Sequence, residues 1–94
     1  ALPAAAQGAH VGRYFLRLTV ADRPGVLAEL TAALRDAGVS IESLLQRGQS
    51  AGGGVYIAMV THEATEASVR AALAAMQASD SVLAPPMMMH ILDF

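Results

Sequence analysis

The chain has 94 residues, 54% of them hydrophobic and 15% charged, and it contains no cysteine. This length fits one small domain, and the composition excludes a disordered chain. A formal net charge of -2 excludes the basic surface that nucleic-acid binding needs. The lack of cysteine excludes a disulfide framework and thiolate metal sites, and it is typical of a cytoplasmic protein.

The first twelve residues are rich in alanine, include proline and glycine, and do not begin with methionine. Such a composition is typical of a linker. We therefore predict a linker or disordered tail over residues 1–12 and one folded domain over residues 13–94. We also expect the chain to be a piece of a longer protein, which favours a regulatory or binding module over a complete enzyme.

Residues 13–20 alternate in the way that predicts a half-buried strand. From residue 24 to residue 37, apolar residues recur at helical spacing, which predicts a helix that ends at Gly38. The side chains of the strand that would face the core are Tyr14, Leu16, Leu18 and Val20.

The corner between this strand and this helix, Asp22-Arg23-Pro24-Gly25, is the strongest candidate for a binding site. Backbone N–H groups at a helix start lack partners inside the helix and can hold a small anion. Pro24 fits the first helical turn, and Gly25 lets a ligand approach the backbone closely. Asp22 has two competing roles, as the cap of the helix or as the acceptor of an amino acid's ammonium. Arg23 is interpreted as a solvated charge.

The remaining sequence predicts three further strands and a second helix. Thr65 is the expected N-cap of that helix, and Glu66 pairs with Arg70 one turn later. The predicted elements are, in chain order, a strand over residues 39–47 with a bulge at Leu44-Leu45, a turn over 50–54, a strand over 55–62, a helix over 65–78 and a strand over 87–94.

The order β-α-β-β-α-β predicts an α+β fold, a ferredoxin-like sandwich with a four-stranded antiparallel sheet. Right-handed crossovers would place both helices on one face of that sheet. Strands 55–62 and 87–94 carry apolar residues on both faces. We therefore expect another copy of the domain or the rest of a longer protein to cover the second face.

Other motifs do not indicate chemistry in this chain. Gly52-Gly53-Gly54 leads into a strand instead of a helix, which excludes a dinucleotide-binding fingerprint. The three histidines at positions 10, 62 and 90 are scattered and show no metal-ligand spacing. Gln46 is either an exposed strand residue or one that reaches across a dimer interface. We expect no catalytic residue, no metal and no cofactor in this chain.

The run Asp22-Arg23-Pro24-Gly25-Val26-Leu27, followed by Gly38-Val39-Ser40-Ile41, resembles the ACT domain. ACT domains are small amino-acid-binding modules attached to enzymes of amino-acid metabolism. The resemblance extends from about residue 13 to residue 94. Residues 14–18, 38–48 and 60–63 are similar to the C-terminal ACT domain of bacterial homoserine dehydrogenases.

This resemblance implies a homodimer or higher oligomer attached to a catalytic domain that uses NAD(P) to reduce aspartate semialdehyde to homoserine. It implies feedback control by an amino acid, with threonine as the effector. In the family, the residues at positions 22 and 40 often contact the bound amino acid, and several relatives that bind serine carry asparagine at both. The candidate ligand residues are Asp22, Arg23, Pro24, Gly25, Val26, Leu27 and Ser40.

Two alternatives stay open. The domain is either an effector sensor or a structural module that assembles the parent enzyme and binds no amino acid. Ser40 is either a ligand contact or an ordinary residue at the start of a strand. A small ferredoxin-like hydrolase is disfavoured, because its phosphate site needs asparagine and this chain has none.

Overall fold

The computed structural model describes residues 10–48 and 52–92. These residues confirm the predicted element order and add one two-residue strand, β4. Parts of the predicted tail, of the turn over 50–54 and of the last strand lie outside the described residues. The elements are β1 (Val11–Val20), α1 (Val26–Asp36), β2 (Ile41–Arg47), β3 (Val55–Thr61), β4 (Ala64–Thr65), α2 (Glu66–Gln77) and β5 (Met87–Ile91).

β1 is the strand to which most of the sheet is bonded. It pairs antiparallel with β3 through residues 15–20, and β2 pairs antiparallel with β3 in turn. It also pairs with β5 through residues 13–17 and with β4 at Val11 and Gly12. The pairing with β4 starts β1 two residues earlier than the alternation predicts, because hydrogen bonds extend a strand beyond its apolar pattern.

Both helices pack on the same face of the sheet, as predicted. The four predicted core residues of β1 are each no more than 1% exposed. Burying an aliphatic side chain contributes about 1.5–3 kcal/mol, so this layer contributes substantially to stability. The helices bury Val26, Leu30, Leu34, Val69, Ala72, Leu73 and Met76 against it.

The opposite face of the sheet is open in the described chain. Leu45, Tyr56 and Met89 are 50%, 43% and 55% exposed. Phe15 and Ala58 lie between them and are half-buried. This face is apolar enough for a protein partner to cover it.

The β-bulge in β2 lies earlier in the strand than predicted. Its register with β3 shifts between Ile41 and Ser43, not at Leu44-Leu45. One extra residue inverts the alternation of all that follow. Leu44 and Gln46 therefore share the helix side of the sheet with Ile41.

A local signal ends α1 where the sequence predicts. Gly38 adopts φ 78°, and the N–H groups of Gly38 and Val39 donate to the carbonyls of Arg35 and Leu34, at 3.0 and 2.8 Å. This is the Schellman arrangement, in which glycine is favoured. Neither helix in residues 10–48 and 52–92 is long and apolar enough to cross a membrane.

The start of α2 is also as predicted. The Thr65 hydroxyl accepts a hydrogen bond from the N–H of Ser68 at 3.1 Å. Glu66 and Arg70 form the expected ion pair at 3.3 Å.

Replacing Thr65 with alanine removes the cap of α2, so we expect the free energy of unfolding to fall by about 1 kcal/mol. Thr31→Ala is the matched control, because the Thr31 hydroxyl donates only to the Ala28 carbonyl within α1. We expect the control to change stability by less than about 0.5 kcal/mol. Urea denaturation measures both variants, and equal losses would contradict the assignment of the cap.

Replacing Tyr14 with phenylalanine tests a buried hydroxyl that has no hydrogen-bond partner among the described residues. Burial, aided by Glu66 and opposed by Arg70, raises the pKa of Tyr14 above 10.0. The unfolded chain therefore loses this proton first as pH rises, and stability falls through that range. We expect Tyr14→Phe to be neutral or stabilising at neutral pH, by up to about 1 kcal/mol. The fall in the free energy of unfolding as pH rises above the ordinary tyrosine pKa of about 10 should become shallower.

Tyr56→Phe is the control, because Tyr56 is exposed on the open face. Denaturation at a series of pH values gives the comparison. A variant Tyr14→Phe with the full wild-type decline would contradict the contribution of Tyr14.

Candidate functional site

The corner between β1 and α1 is formed by backbone conformation instead of a side-chain cap. The N-cap of α1 is Gly25, with φ 87° and ψ -10°, and no side chain bonds to the helix start. The prediction that Asp22 caps the helix is therefore wrong, because Asp22 lies three residues before the N-cap. The prediction that Pro24 occupies the first helical turn is also wrong, since the helix begins at Val26.

This geometry leaves the first turn of α1 able to bind an anion. The Gly25 carbonyl accepts from the N–H of Glu29 at 3.0 Å, which starts the helical ladder. The N–H groups of Val26 and Leu27 precede that bond, and no side chain in the described structure caps them. Such donors, together with the helix dipole, favour a carboxylate or a phosphate.

A cavity of about 210 Å³ lies against this corner. Cavities for drug-sized ligands hold about 300–1,000 Å³, so this one suits a smaller molecule. Its polar side chains are Asp22, Arg23 and Gln46, and the rest of its lining is apolar or backbone. The lining residues are Val20, Ala21, Asp22, Arg23, Pro24, Gly25, Val26, Leu27, Gln46, Val55 and Ile57.

Six of the seven predicted ligand residues thus line one cavity, and Ser40 does not. Ser40 lies at the far end of α1, beside a separate cavity that Gly38 and Ile41 also line. Its carbonyl accepts from the N–H of His62 at 2.9 Å. Since α1 has 11 residues, the two ends lie roughly 16 Å apart. One small molecule cannot contact Asp22 and Ser40 of the same chain.

Gln46 joins the cavity because of the bulge in β2. Without the bulge, strict alternation from Ile41 would place Gln46 on the open face. With the bulge, it lies opposite Ile57, on the side of the sheet that the helices cover. Sequence reasoning missed this residue because alternation does not reveal where an extra residue sits.

Arg23 is exposed, as its interpretation as a solvated charge requires, but it is also bonded within the chain. Its guanidinium donates to the Asp80 carboxylate at 3.0 Å and to the Ser81 hydroxyl at 2.7 Å. The Ser81 hydroxyl donates in turn to the Glu29 carboxylate at 3.0 Å. Ser81 is 1% exposed, and its buried hydroxyl is thereby satisfied on both sides. This link between the corner and the turn after α2 leaves no signal in the sequence.

Two of the histidines that look scattered in the sequence lie together. The rings of His10 and His90 meet edge to face, with centroids 4.8 Å apart, and His90 stacks on Tyr14 at 5.0 Å. Among the residues that the structure describes, no three His, Asp or Glu side chains are grouped to hold a metal ion. This pair lies at the β1–β5 pairing, away from the corner cavity.

Comparison with known proteins relates most of the chain to one family. Residues 14–80 match the ACT domain family. The chain is 37% identical to a homoserine dehydrogenase from Pseudomonas aeruginosa over 73 residues, which cover 77% of this chain and 17% of that protein. It superposes on a crystal structure of a homoserine dehydrogenase from Thiobacillus denitrificans with a TM-score of 0.83 and 36% identity.

That superposition covers 98% of this chain and 19% of the Thiobacillus protein. The chain therefore spans less than a fifth of the length of both enzymes. The ACT domain from the GTP pyrophosphokinase of Chlorobium tepidum superposes with a TM-score of 0.66 at 9% identity, which shows the shared fold alone.

Replacing Gly25 with alanine tests whether the corner needs the left-handed conformation. An added Cβ would meet no atom within 4 Å, so the cost comes from φ and not from a clash. We expect the free energy of unfolding to fall by about 1–2 kcal/mol. Gly25→Asn should lose less, because asparagine tolerates this conformation.

Gly52→Ala is the control in a chemical denaturation experiment. A Cβ at Gly52 also meets nothing, and its φ lies outside the left-handed range. A loss as large for Gly52→Ala as for Gly25→Ala would contradict the conformational explanation.

Proposed function

Because this chain belongs to the ACT domain family, we propose that it is the amino-acid-sensing regulatory domain of a homoserine dehydrogenase. Its effector is a small amino acid, with threonine as the first candidate. The dehydrogenase chemistry and the NAD(P) site would belong to the rest of a longer polypeptide. No residue of this chain takes part in hydride transfer in this proposal.

The observation that carries the proposal is that hydrogen-bond donors and a carboxylate belong to the lining of one small cavity. The uncapped N–H groups of Val26 and Leu27 suit a carboxylate, and the exposed Asp22 carboxylate suits an ammonium. A free α-amino acid presents both groups within a few atoms of each other. The apolar lining from Val20 and Val55 leaves room for a short side chain.

If Ser40 is a ligand contact, its separation from the corner requires a site shared between two copies. If Asp22 and Ser40 both contact one amino acid, they come from different protomers, because α1 holds them roughly 16 Å apart in one chain. The exposed strand β2 is the natural edge for that association. Among the described residues it pairs with β3 on one side only, and it carries no proline.

Pairing through β2 would bring the two copies of Gln46, and with them the two corner cavities, towards one interface. An effector changes activity only if it prefers one arrangement of the dimer over another. Couplings of this kind are typically about 1–3 kcal/mol.

The second candidate function is a structural module that assembles the parent enzyme and binds no effector. The open apolar face of the sheet favours it, since a partner is needed to cover Tyr56 and Met89. Such a module forms the same dimer whether or not an amino acid is present.

Titration of the chain with threonine, serine, methionine, isoleucine and lysine in a calorimeter tests the sensor function. We expect selective heat with threonine, and an affinity at least about tenfold weaker in Asp22→Asn, because a hydrogen bond to a charged group contributes about 1.5–3 kcal/mol. Asp36→Asn is the matched control. Its carboxylate is exposed at the other end of α1 and pairs with Arg35.

Sedimentation equilibrium with and without threonine gives the oligomeric state in the same samples. A dimer that gives no heat with any amino acid would favour the assembly module. Equal threonine affinity in the wild type and in Asp22→Asn would exclude Asp22 as the ammonium acceptor.

A further inference from the structure

Arg23 is a cation with two possible anionic partners at the corner. Arg23 is one of the residues that line the cavity, and its guanidinium bonds to the Asp80 carboxylate at 3.0 Å. The Asp80 side chain is 94% exposed, and that of Arg23 is 51% exposed. An ion pair so open to water contributes only about 0.2–1 kcal/mol, so another carboxylate can displace it.

The backbone of the turn that carries Asp80 is held in place independently of this ion pair. The N–H of Ala21 donates to the Ser81 carbonyl at 2.8 Å, and the N–H of Leu83 donates to the Thr19 carbonyl at 2.9 Å. The Ser81 hydroxyl also keeps its bond to Glu29. Loss of the Arg23–Asp80 contact therefore frees one side chain without moving the turn.

From this arrangement we infer that Asp80 is an internal competitor for the carboxylate of the effector. The inference rests on the proposed function. A bound amino acid places its carboxylate near the N–H groups of Val26 and Leu27, within the cavity that Arg23 lines. Arg23 then exchanges Asp80 for the ligand, and Asp80 turns into solvent. Asp80 thereby weakens the binding of every ligand with a free carboxylate while it makes no contact with the ligand itself.

The competition predicts that Asp80→Asn binds threonine about two- to fivefold more tightly than the wild type, since the displaced pair no longer has to be broken. The same variant should not gain affinity for threonine amide, which lacks the carboxylate. Calorimetric titration of both ligands measures these affinities. The substitution keeps the shape of an exposed side chain, so the variant should fold.

Glu29→Gln is the matched control for the loss of a negative charge alone, without the loss of the Arg23–Asp80 ion pair. It removes one negative charge beside the same corner, and its amide oxygen can still accept from Ser81. Glu29 does not bond to Arg23, so we expect the control to bind threonine as the wild type does.

A gain confined to Asp80→Asn and to threonine supports the competition. Threonine binding by Asp80→Asn also supports the competition if the wild type binds threonine too weakly to measure. An unchanged affinity in Asp80→Asn, an equal gain in Glu29→Gln, or a gain for threonine amide overturns it and leaves the sensor function intact. If neither the wild type nor Asp80→Asn binds any amino acid, the proposed sensor function is wrong, and the competition with it.

Discussion

Hydrogen bonding along both edges of β1 is the constraint on which the sheet, the core and the corner depend. β3 holds residues 15–20 of this strand, and β5 holds residues 13–17. With both edges bonded, the strand cannot slip by one residue without turning its buried side chains outwards. The turn after α2 is bonded to the same strand through Ala21 and Thr19. The end of β1 therefore fixes the cavity wall, the start of α1 and the turn that carries Asp80.

The two helices show opposite solutions to the same physical problem. α2 begins with Thr65, whose hydroxyl accepts from the Ser68 N–H at 3.1 Å. The N-cap of α1 is Gly25, which adopts a positive φ and supplies no side-chain acceptor. Glycine in place of a capping side chain costs a helix only about a few tenths of a kcal/mol. This uncapped helix is the one whose N-terminus lines the corner cavity. Its first N–H groups are therefore free of side-chain partners at the cavity.

The sequence was sufficient to predict what depends on local patterns. The alternation of β1, the Schellman glycine at position 38, the Thr65 cap and the element order are all confirmed. It was insufficient where long-range contacts decide. β4 exists only because β1 extends to pair with it, and the position of the bulge depends on how β2 aligns with β3. The place of Gln46 at the cavity and the contact of Arg23 with Ser81 both depend on such long-range alignments. For this reason the sequence predicted only part of the candidate site.

The charges around the corner favour a zwitterion over a simple anion. Asp22 lines the cavity, and the Asp80 carboxylate accepts a hydrogen bond from the guanidinium of Arg23, the one cation among the described lining residues. A lone carboxylate approaching the first turn of α1 meets helix N–H groups but also a negative surrounding field. An α-amino acid brings its own ammonium to that field, so the repulsion of its carboxylate is offset within the same molecule. In the proposed function, the excess of acidic side chains therefore favours a free amino acid over a simple anion, and the N–H groups of the first turn would hold its carboxylate.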